Sequence, residues 1–175
     1  KIESRLVTTS GTCAVMGTAS TMACITETLG MALPGTAAIP AIHADRLRAA
    51  EASGAQAVHL AQIDRDKQLT PKKIITPESV ENALRILLAV GGSTNAIIHL
   101  TAIAGRLGIP IPLQQLNKLS DETPVLIDLK PTGDHYMEDL FKAGGLGVVL
   151  RELKPLLNLE CLSVTGETLE ERLQS

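Results

Sequence analysis

One cysteine, Cys13, stands among glycines and hydroxyl side chains, in the run Thr8-Thr9-Ser10-Gly11-Thr12-Cys13-Ala14-Val15-Met16-Gly17-Thr18-Ala19-Ser20-Thr21-Met22. Cysteines kept for packing usually sit in apolar periodic segments, as Cys24 and Cys161 do here. A helix start just after Cys13 would bring unpaired N–H groups and the positive helix end close by, and both favour an anionic group. That setting suits a nucleophile or a metal ligand, and an inert thiol stays open beside them. A phosphate loop fits poorly, because Gly11 and Gly17 bracket five residues rather than four and Thr18 stands where such a loop needs its Lys.

A nucleophilic Cys13 would need a base, and His43, His59, His99 and His135 are the candidates. His59 and His99 lie in apolar helical contexts, Val58-His59-Leu60 and Ile98-His99-Leu100, that suit core or boundary histidines. His43 and His135 sit near helix starts and read as surface residues. No two histidines have the spacing of a His-based zinc site. The second candidate site is Gly91-Gly92-Ser93-Thr94-Asn95. Its glycines allow close backbone approach and the helix start after them offers N–H groups to a carboxylate. A plain helix-to-helix turn would use the same residues.

These candidates must be positioned by an α/β, helix-rich chain. Helical periodicity covers 18–29 with a stop at Gly30, 40–53 with a stop at Gly54, and 55–69 beyond it. Thr76-Pro77-Glu78 is a strong helix start, combining a cap hydroxyl, a proline in the first turn and an acid at the positive end. The helix after it should stop at Gly91-Gly92, and a second should run from Asn95 to Leu107 before Gly108. Pro124-Val125-Leu126-Ile127-Asp128-Leu129 reads as a buried strand closed by the turn Lys130 to Asp134, and 161–164 as a second strand. Short helices are expected over 136–142, over 148–153 and from 165 to 173.

Composition narrows the function classes. Sixteen Lys and Arg against nineteen Asp and Glu leave a charge of -3, with no basic run to follow a nucleic-acid backbone. Aromatic residues are 1% of the chain, so the core must be aliphatic. No apolar run is long enough to cross a bilayer, and the opening residues carry no signal-peptide core. Three cysteines match neither a disulfide framework nor a zinc ribbon, so reduced thiols and a cytoplasmic setting are expected. The first residue is Lys, and the run Ile2 to Val7 leads straight into the glycine loop, as in a piece of a longer chain.

Three ordered stretches, GTCAVMGTASTMACITETLGMALPG at 11–35, AVGGSTNAIIHLTAIAGRLGI at 89–109 and DLKPTGDHYMEDLFKAGG at 128–145, resemble successive signatures of the dihydroxy-acid and sugar-acid dehydratase family, which includes 6-phosphogluconate dehydratase. The resemblance implies a hydro-lyase that removes water from a 2,3-dihydroxy carboxylate to give a 2-oxo acid. It also implies an iron–sulfur cluster (2Fe-2S or 4Fe-4S) acting as Lewis acid and a Mg2+ ion at the carboxylate side. By that resemblance Cys13 is the last cluster cysteine, whereas Cys24 and Cys161 fall off the ligand positions; Gly92, Ser93, Thr94 and Asn95, from the second candidate site, are the residues expected to bind substrate. The other two cluster cysteines and the magnesium ligands belong to family segments before residue 1, and the serine base to a domain after residue 175. The whole of 1–175 is then the later part of a layered α/β/α N-terminal domain, unable alone to complete a site, from a parent forming a homodimer or tetramer. The residues 14–21 look closer to sugar-acid dehydratases than to the branched-chain enzyme, whose signature commonly reads G-A-C-G-G-M-Y-T-A-N-T-M. The competing expectation is a non-catalytic truncated module or assembly partner derived from such an enzyme.

Overall fold

A computed structural model describes residues 13–64 and 67–174. The expectations that fall on Thr8 to Thr12, including the Gly11 part of the phosphate-loop test, lie outside the described residues.

The fold is helix-rich. Its centre is the pair α1 (Thr18–Thr28) and α4 (Pro77–Ala89), which pack against each other and divide two aliphatic cores. On one side Met16, Cys24, Ile86 and Val90 meet Leu129, Leu146, Leu150 and Leu169. On the other, Ile25, Leu29, Ala83, Leu84 and Leu87 meet Ala96, Leu100 and Leu119. α4 forms where the sequence says: Thr76 Oγ1 accepts from Ser79 N at 3.3 Å, Ser79 Oγ accepts from Thr76 N at 2.9 Å, and Pro77 takes the first turn. α5 (Asn95–Arg106) packs against both α1 and α4. α6 (Leu113–Glu122), absent from the sequence reading, is tied to α4 by Arg85, whose Nη2 reaches Glu81 and Glu122 at 3.1 Å each.

Gly30 ends α1 in the left-handed region, φ +80°, and a Cβ there would lie 2.4 Å from Leu162 O. Glycine is therefore required twice, by backbone conformation and by the close passage of the 162–164 segment. That passage is fixed by Val164 N donating to Gly30 O at 2.7 Å.

Several expectations change. The two helices expected over 40–53 and 55–69 are one continuous helix, α2 (Ala44–Gln62), which runs straight through Gly54. Nothing lies within 4 Å of the space a Cβ would take at Gly54, and a lone helical glycine weakens a helix without ending it. The stretch at 71–74 closes one helical turn, α3 (Pro71–Ile74). The buried strand expected over 124–129 is an extended segment with Val125 and Leu126 exposed; Leu126 N donates to Ala89 O at 2.8 Å, and Leu129 takes part in one isolated bridge, to His135.

 The second strand expected at 161–164 is likewise reduced to a bridge between Leu162 and Thr168. Among the described residues the extended segments pair through these isolated bridges and form no ladder of their own. α7 (Met137–Lys142) and α8 (Gly145–Glu152) appear near their expected places, separated by Gly144 at φ +109°. The last helix, α9 (Leu169–Gln174), starts four residues later than expected, because 165–168 turn to let Ser163 N bond Glu167 O at 3.0 Å. No helix among the described residues is long and apolar enough to cross a membrane.

Candidate functional site

The three sequence signatures, far apart in the chain, meet around the first turn of α1. The Cys13 loop is held by the third signature: Met16 N donates to Lys130 O at 2.8 Å, and Met137 N donates to Ala14 O at 2.8 Å. The glycine corner is held by α1: Ser93 N donates to Thr21 Oγ1 at 3.0 Å, the hydroxyls of Thr18 and Ser93 lie 2.9 Å apart, and Asn95 Nδ2 donates to Thr18 Oγ1 at 3.2 Å. Gly92 is needed for this contact, since a Cβ there would lie 2.7 Å from Thr21 Cγ2 and 3.1 Å from Leu87 O. Gly91 takes φ +57° beside it.

Cys13 is exposed, in contrast to Cys24 and Cys161, which are buried as the sequence suggested. Burial pushes the Cys24 thiol up to about 12, with Glu27 adding to the rise, and pushes Cys161 up to about 11. Cys13 lines a cavity of about 390 Å³ whose surface is mostly small: Ala14, Ala19, Ala23, Ala37, Ala38 and Ala41. Arg46 and Glu138 are the charged residues of its lining, and Ser20 adds a hydroxyl. The first turn of α1 has no side-chain cap; Gly17 is its N-cap. Thr18 is turned to the corner instead, and Ser20 Oγ donates to Cys13 O at 3.4 Å.

The corner residues Gly92, Ser93 and Thr94 border a separate, smaller cavity of about 150 Å³ with Leu87, Leu88, Gly91 and Ile97. The structure thus brings the corner and the cysteine loop to one helix end without merging their cavities, and Thr18 is the link between them.

The histidines do not assemble with Cys13. None lines its cavity among the described residues. His43 is the N-cap of α2, accepting from Asp45 N at 3.2 Å, and its ring meets Phe141 edge-on at 4.9 Å. His135 lies 3.9 Å from Asp128 and 3.9 Å from Asp139. His59 and His99, expected at core or boundary positions, are exposed, because the faces of α2 and α5 that carry them point away from both cores. A Cys–His nucleophile therefore has no geometric support.

Sequence reasoning missed Arg46, Glu138 and Glu27. Glu27 is almost fully buried, and its carboxylate accepts from Gly35 N at 2.8 Å and Ala37 N at 2.7 Å. Burial raises its pKa against the lowering effect of those bonds and of Arg172. Its place on the buried stripe of α1 was readable; its loop partners were not.

An iron–sulfur cluster needs thiolate donors from several segments. Among the described residues no three His, Cys, Asp or Glu side chains gather to hold a metal. Cys13 fits the role of a single donor: an exposed sulfur on an alanine-walled cavity.

Residues 1–172 match the family described as Dihydroxy-acid/6-phosphogluconate dehydratase N-terminal. Curated relatives named dihydroxy-acid dehydratase include one from Caldanaerobacter subterraneus subsp. tengcongensis, 44% identical over 99% of this chain and 31% of that protein. One from Caldicellulosiruptor bescii is 46% identical over 94% of this chain and 29% of that protein. One from Methanococcoides burtonii is 45% identical over the same shares. The chain thus spans about three-tenths of the length of the relatives it matches.

Proposed function

The chain belongs to the dihydroxy-acid/6-phosphogluconate dehydratase N-terminal family, and from that premise we propose that it serves a hydro-lyase taking water from a 2,3-dihydroxy carboxylate to leave a 2-oxo acid. Residues 1–175 are read as the later part of the cluster-binding N-terminal domain. The relatives' name supports a dihydroxy acid as substrate; the form of residues 14–21 is the argument for a sugar acid within that class.

Cys13 is the residue assigned to an iron–sulfur cluster, and magnesium is assigned to parts of the site that other segments supply. When bound, the cluster supplies a Lewis acid for a hydroxide leaving group, which is otherwise poor. The chain's own residues do the positioning. The bonds from Met16 N to Lys130 O and from Met137 N to Ala14 O fix the cysteine loop from both sides. The alanine walls give the cavity a mainly small, apolar surface, with Arg46, Glu138 and Ser20 as its polar groups. The corner Gly92, Ser93, Thr94 and Asn95 is assigned to substrate; its Ser93 and Asn95 side chains are already oriented by Thr18. The parent is read as a cytoplasmic homodimer or tetramer.

The observation that carries this reading is the exposed Cys13 sulfur on an alanine-walled cavity, in a loop clasped by the third signature. The test is Cys13→Ser in the full-length protein prepared without oxygen, with iron content and 2-oxo acid formation measured. Loss of both is expected. Undiminished iron and turnover would refute Cys13 as a ligand.

A further inference from the structure

One wall of the Cys13 cavity has no regular secondary structure. Residues 37–42 form it, Ala37-Ala38-Ile39-Pro40-Ala41-Ile42, so backbone ladders cannot fix its position. Two charged side chains from different helices hold it instead. Glu27, from α1, takes the N–H groups of Gly35 and Ala37. Arg46, from the first turn of α2, donates from Nη1 to Thr36 O at 3.4 Å and from Nη2 to Ile39 O. The anion collects donors and the cation collects acceptors along the same few residues. Arg46 Nε is left buried with no hydrogen-bond partner, a cost borne while both terminal nitrogens face the loop. α2 has no buried residue of its own, so packing does little to seat this end of the helix.

We infer that Arg46 is a positioning residue for the Cys13 cavity: by tying the 36–39 backbone to α2 it sets how bulky a group can lie beside the sulfur. This rests on the reading of Cys13 as the residue the cavity serves, but its test needs no iron.

In the metal-free chain, Cys13 is alkylated in parallel by iodoacetamide and by a maleimide carrying a branched polyethylene glycol chain. The ratio of the two rates measures the room beside the sulfur. Losing the two guanidinium contacts in Arg46→Met should let the bulky reagent gain on the small one by about fivefold or more, the factor that one hydrogen bond's loss produces in a local opening equilibrium. Arg46→Lys, which keeps the charge and one donor site, should fall between the two. Arg85→Met, which cuts the α4–α6 tie instead, controls for general loosening and should leave the ratio where it was. An unchanged ratio in Arg46→Met, or an equal change in Arg85→Met, overturns the inference. Should Arg46→Met fail to fold by circular dichroism, Arg46→Lys decides: a shifted ratio supports the inference and the wild-type ratio overturns it. A Cys13→Ser protein that still binds iron would remove the cluster reading and leave this result standing.

Discussion

α4 and α2 are both built mainly from helix-favouring residues, yet nine of the 13 residues of α4 are buried and none of the 19 in α2 is. α4 is packed on both sides, by α1 and α5 on one core and by α8 on the other, so most of its side chains are fixed by neighbours. α2 meets the rest of the fold through single polar contacts, Arg46 to the 36–39 loop and Gln56 Nε2 to Val164 O at 2.6 Å. Its outward side shows Leu47 and Val58 to solvent. The stable pivot of the molecule is α1 with α4, and the Cys13 cavity lies between that pivot and the loosely held α2.

The largest expected contrast is chemical. At pH 8 an alkylating reagent should label Cys13 and spare Cys24 and Cys161, whose thiols burial holds up at about 12 and about 11. Peptide mapping should show Cys24 modified at least about a thousandfold more slowly until denaturant is added, since four pH units below its pKa about one thiol in ten thousand is ionised. Comparable labelling of Cys24 in the native chain would mean that the pivot opens freely, which would erase the contrast.

Next in size is the packing difference. Leu84→Ala, in the pivot, should cost about 2–5 kcal/mol in denaturant unfolding, whereas Leu47→Ala on α2 should stay within about 0.5 kcal/mol. Equal costs would show that α2 is packed as firmly as α4.

The smallest effect compares two glycines and sharpens the same point. Gly54→Ala, in open space inside α2, should stabilise the chain by about 0.5–1 kcal/mol, measured as a higher unfolding midpoint. Gly30→Ala should lower that midpoint, because it meets both a positive φ and the Leu162 carbonyl. A stabilising Gly30→Ala would contradict the close passage of the 162–164 segment.

Local signals carried much of the fold. Thr76-Pro77 started α4, Gly30 and Gly108 followed the ends of α1 and α5, and the Cys24 and Cys161 contexts marked buried thiols, because caps, prolines and left-handed glycines act within a few residues. Gly54 misled in the same local terms: a glycine ends a helix only where the chain takes up its left-handed conformation, and here it does not. The segment at 124–129 has a strand's composition, but a strand exists only where a neighbour supplies the other half of the ladder.

By itself the sequence singled out the candidates for chemistry, Cys13 and the Gly91 to Asn95 corner, and set the order of the three signatures that contain them. Tertiary structure alone decided that these signatures converge on one helix end, that their cavities stay separate with Thr18 between them, and that Arg46 and Glu27 hold the wall beside the sulfur. The physical reason is range: caps and turns are written in neighbouring residues, whereas a hydrogen bond from Thr18 to Ser93 spans 75 positions and exists only once both cores have packed.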